Sequence, residues 1–300
     1  MTDFKYIISK EDEELTVKGL LRSKFHYSSR FLTKIKFNNL SYLNGESIPL
    51  WVKPKAGDVL VIKQLDEGSD FPPEDIPIYP IYEDENLLVI NKQPGFVVHP
   101  TKGQPYHTIA NGLMKYMADT DQNFKIRFVN RLDRDTSGLL IIAKDAYSQN
   151  ELSKQMTYMN VHKEYKALVK GVIAEDKGTV DIPIGRPDPD SVKRGVLAVE
   201  DGGYPSVTHY EVLERYPSHT LIHLRLETGR THQIRVHMSC IGHPILGDTL
   251  YDEEDNSDII SRQALHAFKL SFAHPRKDTL IELDAPLPED ILDAIEKIKK

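Results

Sequence analysis

Short apolar runs dominate the hydrophobic pattern between residues 81 and 275. The runs at 87–90, 139–143, 163–171 and 221–226 are rich in branched or aromatic residues and end at charged or turn-forming residues. Runs of this length and composition are typical of β-strands. Because few helical periods separate them, the pattern predicts an α+β domain whose mixed sheet is mainly antiparallel and flanked by helices.

Helical periodicity marks three stretches of the same region. One helix is predicted near residues 108–117, and a second begins close to Arg230 and ends before Gly242. A third, amphipathic helix at 288–300 closes the chain. These helices are the ones we expect to cover the sheet.

The first 66 residues follow a different pattern. Amphipathic helices are predicted at 15–25 and 28–37, the second with Ser29 as its N-cap. Asn44-Gly45 predicts a hairpin turn because both residues accept positive φ, and 59–62 predicts a strand. The order of these elements resembles, in diverged form, the small S4-type RNA-binding module first known from a ribosomal protein. A small α+β cap with a solvated basic face is the alternative.

Charge separates this first unit from the rest of the chain. The whole sequence carries a net charge of −7, which by itself argues against a nucleic-acid ligand. Between residues 15 and 63, however, nine Lys or Arg and two acidic residues give +7, so the remainder carries −14. The distribution of charge matters more than its sum for binding to nucleic acids. We therefore predict a basic RNA-binding module at 1–66, an acidic, proline-rich linker at 67–80 and a larger acidic domain at 81–300, whose catalytic role is implied only by its resemblance to a known family.

Composition limits the cellular setting. A single cysteine, Cys240, excludes a disulfide framework and favours a reducing compartment. The first residues lack the basic and apolar blocks of a secretory signal, and no apolar run approaches the length that spans a membrane. We expect a soluble, cytoplasmic protein that acts as a monomer, without a membrane partner.

The segment 131–138, Arg-Leu-Asp-Arg-Asp-Thr-Ser-Gly, is the strongest chemical signal in the chain. It places two acids and two bases in a tight turn directly before a buried strand, an arrangement that holds a carboxylate rigidly at the edge of a cleft. The alternative is that this segment is only a polar turn, in which the acids accept hydrogen bonds from nearby backbone N–H groups and have no catalytic role.

A second charged cluster, at 227–238, follows a predicted strand and opens a predicted helix. Arg230 and His232 then lie at or just before the helix N-terminus, where unpaired N–H groups and cations together favour an anion. Ordinary surface charge at the start of a helix is the alternative.

The sequence contains little that supports a metal site or a nucleotide-binding site. The twelve histidines include no H-E-x-x-H motif, and paired cysteines are absent. No phosphate-binding glycine-rich loop occurs in the sequence. We expect neither metal nor cofactor, although a metal-assisted hydrolase built on the histidines stays a hypothesis to be tested.

Four ordered blocks together resemble the RluA family of RNA pseudouridine synthases. They lie at 82–95, 130–144, 163–171 and 226–251, and the similarity extends through 262–275. The chain departs from the usual pattern at Asn130, where the family has histidine, and at Asp252, where it has glycine.

The resemblance implies a fold, a reaction and a set of residues. The fold is a pseudouridine synthase-type catalytic domain, and the reaction isomerises uridine to pseudouridine in structured RNA, most readily ribosomal and alternatively transfer RNA, without a cofactor. Asp133 is implied as the catalytic acid, acting as nucleophile or base. The remaining implied residues are Tyr165 in the active site, Arg230 paired with the aspartate, Arg131 displacing the target base, Leu132 and Leu226 walling the pocket, and His232 binding substrate.

The departure at Asn130 keeps a second hypothesis open. A chain with this fold that has lost catalysis would be an RNA-binding or ribosome-assembly protein. Pseudouridine maps with and without the protein distinguish these two functions.

Overall fold

The computed structural model describes residues 3–25, 27–63, 68–101, 103–158, 160–252, 254 and 256–299. Within these ranges the backbone forms a four-stranded sheet, a ten-stranded sheet, a two-stranded ribbon and six α-helices. The predicted boundary between residues 66 and 67 lies outside the described residues. The α+β class and the mainly antiparallel, helix-flanked sheet predicted from the sequence are confirmed.

The N-terminal module, residues 3–63, has a small sheet covered by two helices. Its elements are β1 (Phe4–Ile7), α1 (Val17–Ser23), α2 (Ser29–Phe37), β2 (Ser41–Leu43), β3 (Glu46–Ser47) and β4 (Val59–Ile62). The strands pair in the antiparallel order β1-β4-β2-β3. Apolar residues from both helices and from β4 are buried together, so this module has a core of its own.

The predicted hairpin turn is present in the module, whereas the predicted N-cap of α2 is wrong by one residue. Asn44 and Gly45 both have positive φ, as the predicted hairpin requires. The N-cap of α2 is Ser28 and not the predicted Ser29. Ser28 is extended and its Oγ accepts a hydrogen bond from the Phe31 N–H, whereas Ser29 is already the first helical residue.

The larger domain carries the remaining elements, the first of which begins at Pro80. Its elements are β5 (Pro80–Glu83), β6 (Leu87–Lys92), α3 (Ile109–Asp119), β7 (Arg127–Phe128), β8 (Ser137–Ala143), α4 (Ala146–Thr157), β9 (His162–Lys170), β10 (Lys177–Asp181), β11 (Ile184–Gly185), β12 (Gly195–Val196), β13 (Val207–Arg215), β14 (His219–Leu226), α5 (Gln233–Cys240), β15 (Leu265–Ala273), β16 (Leu280–Asp284) and α6 (Glu289–Ile298).

The central sheet runs in the order β10-β13-β14-β9-β15-β8-β6-β5. Two further strands join it at the sides, with β16 on β15 and β7 on β8. Neighbouring strands are antiparallel except β8 and β15, which are parallel. The parallel pair lies at the centre, which places the start of β8 deep inside the domain.

Strand β8 is buried over its whole length, as its continuous apolar run predicts. Leu140 and Ile142 face the larger core, while Leu139 and Ile141 face a second core on the opposite side of the sheet. Gly138 has φ +115°, and a Cβ there would lie 2.2 Å from the Ala267 carbonyl oxygen. Only glycine therefore lets β8 approach β15 directly after the charged loop.

The segment 68–79 contains neither helix nor strand, yet it is attached to the larger domain. The Asn111 side chain donates to the Pro72 carbonyl, and the Glu74 N–H donates to the Asn111 carbonyl. Ile76 is buried against Gly112 of α3. This segment therefore follows the surface of α3.

Helix α4 was not predicted. Asp145 caps it by accepting hydrogen bonds from the Ser148 N–H and hydroxyl, and it also forms a buried ion pair with Arg276. Tyr147, in the first turn, packs with its ring centroid 6.3 Å from that of Phe4 and 5.9 Å from that of Tyr27. The helix thus docks the N-terminal module onto the larger domain.

None of the helices in the described ranges combines the length and the apolar character that a membrane span requires.

Candidate active site

One cleft of about 980 Å³ collects the residues singled out from the sequence. It opens at the end of the central sheet, where the loop before β8 meets the loop before α5. The predicted site residues that line it are Arg131, Leu132, Asp133, Tyr165, Leu226, Arg230 and His232.

Asp133 lies in the loop between β7 and β8. The Thr136 N–H donates to the Asp133 carbonyl at 3.2 Å, which closes a tight turn. The Asp133 side chain is 19% exposed, so its carboxylate is accessible from the cleft but largely shielded from bulk water. This is the arrangement that the charged loop predicts.

Two buried basic side chains, Lys92 and Arg262, hydrogen-bond to the backbone of this loop. The Lys92 ammonium donates to the carbonyls of Arg134 and Thr136 at 2.8 and 3.0 Å, and also to that of Gln93. Arg262 donates to the Asp135 carbonyl at 2.9 Å. The sequence did not indicate these residues as part of the site.

Arg262 is itself held by the C-terminal helix. Its Nε and Nη2 form a two-point ion pair with Asp290 of α6, at 2.6 and 2.8 Å. A guanidinium fixed in this way has a defined plane, so its remaining N–H groups point in defined directions. Through this pair α6 contributes to the position of the loop.

The arginine that pairs with Asp133 is Arg235, not Arg230. Arg235 Nη1 donates to Asp133 Oδ2 at 3.3 Å, while its Nε and Nη2 bind the two oxygens of Asp248 at 2.6 and 2.7 Å. The side chains of Arg235 and Asp248 are 8% and 0% exposed. Arg235 therefore joins a buried carboxylate to the carboxylate that faces the cleft.

The predicted pairing of Arg230 with Asp133 is not formed. Arg230 precedes α5, is exposed, and donates through Nε to the Pro205 carbonyl while its guanidinium lies over the ring of Tyr204. Arg235 lies in the first turn of α5 and faces inward. The local signal that separates the two is the helical period, in which Arg235 joins the inner face with Met238.

Tyr165 lies on β9 and is 7% exposed. Burial, and secondly the negative charge of Asp133, raise the pKa of its hydroxyl, so the phenol stays protonated at neutral pH. Leu132 and Leu226 line the same cleft, the first fully buried and the second half-buried. These three side chains therefore form apolar walls of the cleft that the Asp133 carboxylate faces.

Arg131 and Asn130 play different parts at the mouth of the cleft. Arg131 is exposed. Asn130 accepts a hydrogen bond from the Ile141 N–H at 2.8 Å and donates to the Leu139 carbonyl at 3.2 Å. The residue that departs from the family pattern thus ties the loop to β8.

His232 is the N-cap residue of α5 and has φ +60°. Its Nε2 lies 3.9 Å from Asp133 Oδ2, and its Nδ1 lies 2.9 Å from the Tyr251 hydroxyl. Desolvation is the main cause that lowers the pKa of this histidine, and Arg235 acts in the same direction while Asp133 opposes it. The ring is therefore neutral at physiological pH.

Among the residues that the structure describes, no group of three or more His, Cys, Asp or Glu side chains has an arrangement suited to a metal ion.

Comparison with known proteins identifies the family to which this chain is similar. The family model described as RNA pseudouridylate synthase matches residues 86–240. YlyB, an uncharacterized RNA pseudouridine synthase of Bacillus subtilis, is 43% identical over 266 residues, which cover 86% of this chain and 85% of the relative. Ribosomal large subunit pseudouridine synthase D of Vibrio parahaemolyticus is 40% identical over 275 residues, which cover 86% of this chain and 82% of the length of that relative.

Solved structures show the same fold. Human RNA pseudouridylate synthase domain-containing protein 4 superposes with a TM-score of 0.60 at 25% identity, covering 74% of this chain and 93% of its own. The chain therefore belongs to the RNA pseudouridylate synthase family, in its RluA group, and is an isomerase that acts on RNA. The family predicted from the four sequence blocks is confirmed.

The two arginines differ in burial, which gives a test of their roles. Arg235→Gln leaves the Asp248 carboxylate buried without its partner, so we expect a loss of about 3–5 kcal/mol in the free energy of unfolding. Arg230→Gln changes an exposed side chain and should cost less than about 1 kcal/mol. Urea unfolding of both variants measures the difference, and equal losses would contradict the assignment of Arg235 as the buried arginine.

Lys92 gives a prediction about pH. Burial lowers the pKa of its ammonium from 10.5 to about 7. Between these values the unfolded chain binds a proton that the folded chain releases, so the contribution of Lys92 to stability rises with pH from about 7 to 10.5. Lys92→Met should remove a rise on the order of a few kcal/mol.

The measurement is the free energy of unfolding in urea at several pH values across this window. Lys18→Met, at an exposed position of α1, is the matched control and should keep the slope of the parent. If the parent and Lys92→Met gave parallel curves, the buried ammonium would not be the source of the pH dependence.

Proposed function

We propose that this protein isomerises uridine to pseudouridine in structured RNA, with Asp133 as the catalytic acid. The observation that carries the proposal is the Asp133 carboxylate, held at the cleft by Arg235 and surrounded by Tyr165, Leu132 and Leu226. The reaction breaks the N1–C1′ bond, turns the uracil and rejoins it through C5. It involves no net oxidation or reduction and needs no cofactor.

The role of Asp133 depends on its negative charge. As a carboxylate it either attacks C1′ covalently or removes the C2′ proton to give a glycal. Both routes use the carboxylate charge, and a neighbouring guanidinium pairs with that charge inside a cleft from which substrate displaces water. Arg235, rather than Arg230, supplies that guanidinium.

Tyr165 is proposed to stack on the base that enters the cleft. Its phenol is protonated at neutral pH because burial raises its pKa, so the side chain offers a flat apolar face and a hydroxyl donor rather than a resting base. The C5 proton then passes to water, which the Tyr165 hydroxyl is placed to orient. Leu132 and Leu226 form the walls against which the uracil turns.

Arg131 is proposed to displace the target base. It lies exposed at the mouth of the cleft, directly before Leu132 and Asp133. Unstacking a base costs a few kcal/mol, and a side chain that occupies the vacated space offsets part of that cost. Arg230, on the other side of the mouth, is placed to contact phosphate.

Ribosomal RNA is the proposed substrate. Curated relatives at about 40% identity are named ribosomal large subunit pseudouridine synthase D, and the chain covers more than four fifths of the length of the one from Vibrio parahaemolyticus. That substrate places the protein in the cytoplasm. Because one chain supplies the carboxylate, the arginine and the walls of the cleft, we propose that it acts as a monomer.

The N-terminal module is proposed to bind RNA backbone. Its exposed cations include Lys18 and Arg22 on α1 and Arg30 and Lys36 on α2. Phe37 is 78% exposed beside them, and an exposed ring next to cations is suited to stacking on an unpaired base. Phosphate contacts from this module would offset the cost of displacing the target base.

The alternative of a catalytically inactive RNA-binding protein rests on Asn130 alone. Its amide makes two hydrogen bonds to β8, and the cleft still contains the carboxylate and its arginine. The substitution thus has a local structural use, and no observation favours the inactive protein.

Tritium release from RNA labelled at uridine C5 tests the proposed reaction. The parent protein should release tritium from an unmodified large-subunit ribosomal RNA transcript. Asp133→Asn should lower the rate by about a thousandfold or more, because the amide neither attacks C1′ nor takes a proton.

Asp135→Asn is the matched control for this experiment. It changes an acid two residues away whose contact with Arg262 is made by the main-chain carbonyl, so the rate should stay within about tenfold of the parent. The proposed function fails if the parent releases no tritium from any ribosomal RNA, or if the two variants behave alike.

Salt dependence tests the N-terminal module. Replacing Lys18, Arg22, Arg30 and Lys36 by Gln should reduce the slope of log affinity against log salt by up to about 0.7–0.9 for each phosphate that the variant no longer neutralises. Replacing Lys115 and Lys299, which pair with acids on the larger domain, is the control and should leave the slope nearly unchanged. Filter binding at several salt concentrations gives the slopes, and an unchanged slope in the fourfold variant would assign RNA binding to the larger domain alone.

A further inference from the structure

Tyr251 lies next to the candidate active site, where it contacts Arg194, His232 and Arg235. Its hydroxyl is 2.8 Å from the Arg194 N–H and 2.9 Å from His232 Nδ1. The Arg235 guanidinium lies over its ring, 5.0 Å from the centroid. One tyrosine outside the predicted site thus contacts both cationic or titratable side chains that face Asp133.

The directions of these hydrogen bonds follow from the chemistry of the groups. The Arg194 N–H can only donate, so the Tyr251 oxygen accepts from it. The phenolic proton is then free to point to His232 Nδ1, which lies 2.9 Å away. A neutral imidazole that accepts at Nδ1 carries its own proton on Nε2. The geometry therefore fits the Nε2–H tautomer of His232.

The charges around His232 agree with a neutral ring. Burial lowers its pKa, and the groups that face it from neighbouring elements include two anions, Asp133 and Asp248, and two cations, Arg235 and Arg194. Because the two negative and two positive charges oppose one another, desolvation determines the direction of the pKa shift, and the imidazole stays neutral. A neutral ring is what the bond from Tyr251 requires.

The backbone also shows that His232 serves the cleft rather than the helix. It is the N-cap of α5 with φ +60°, and its side chain makes no capping hydrogen bond. A non-glycine residue in the left-handed region is strained, and such residues cluster at functional sites. The unusual φ turns the imidazole away from the helix end toward Asp133.

We propose that Tyr251 is a positioning residue, which fixes His232 as the Nε2–H tautomer so that the imidazole donates to Oδ2 of Asp133 alongside Arg235. Both donors face this one oxygen, Arg235 Nη1 at 3.3 Å and His232 Nε2 at 3.9 Å. The His232 contact shortens when substrate fills the cleft, as catalytic hydrogen bonds commonly do. Oδ1 is thereby the oxygen left for the reacting sugar, a conclusion that rests on the proposed function.

The tautomer is measured directly by long-range ¹H–¹⁵N correlation spectra of the ¹⁵N-labelled full chain at pH 7. The His232 signals are assigned by their loss in His232→Gln. The expected result is a neutral ring protonated on Nε2 in the parent and a mixture of tautomers in Tyr251→Phe. A ring protonated on Nδ1, or on both nitrogens, in the parent overturns the proposal.

Kinetics on labelled RNA give the second readout. Tyr251→Phe should lower kcat about tenfold to a hundredfold with little change in KM, since the hydrogen bond it removes supports the reacting carboxylate rather than RNA binding. His232→Gln, whose amide keeps an N–H donor, should be about tenfold more active than His232→Leu. Equal activities of these two His232 variants overturn the proposal.

Tyr216→Phe is the matched control, because Tyr216 is also buried and its hydroxyl donates to a carboxylate, that of Glu214. It should lose stability without changing kcat or the His232 tautomer. If the parent releases no tritium from RNA, the proposed function fails while the spectra still decide the tautomer.

Discussion

The buried guanidinium of Arg235 is the interaction on which the rest of the site depends. Its two bonds to Asp248 fix the plane of the group, and the remaining N–H then reaches Asp133, 102 positions earlier in the chain. Without Asp248 the arginine would be free to turn, and without Arg235 two carboxylates would lie in a poorly hydrated region. Arg235 lies in the first turn of α5, directly after the N-cap residue His232, so the start of this helix brings both side chains to Asp133.

A second constraint acts on the backbone of the charged loop. Carbonyl oxygens that turn inward next to a buried strand need hydrogen-bond donors. Lys92 from β6 and Arg262, itself paired with α6, supply those donors. The loop is therefore fixed by hydrogen bonds from the basic side chains of two distant segments, which keeps the Asp133 carboxylate in place before substrate arrives.

Local patterns allowed much of the fold to be predicted. Hydrophobic runs, the Asn44-Gly45 turn and the helical periods depend on neighbouring residues, and strands β4, β6, β8 and β14 lie where these patterns put them. Helix α4 was missed because its apolar face is short and its stability comes from Asp145 at the cap and from packing of Tyr147. Strand β16 was missed because it is ordered by pairing with β15, which no local signal reports.

The sequence by itself determined the family, the α+β class and seven of the residues that line the cleft, because ordered motifs and short-range periodicity are local properties. The helical period places Arg235 on the inner face of α5, but only the tertiary structure decided that this face meets Asp133. Arg230 and Arg235 are both cationic and five positions apart, and only the start of α5 turns one outward over Tyr204 and the other inward between two carboxylates. The contacts of Lys92, Arg262 and Tyr251 were decided in the same way, since each joins segments that are far apart in the chain.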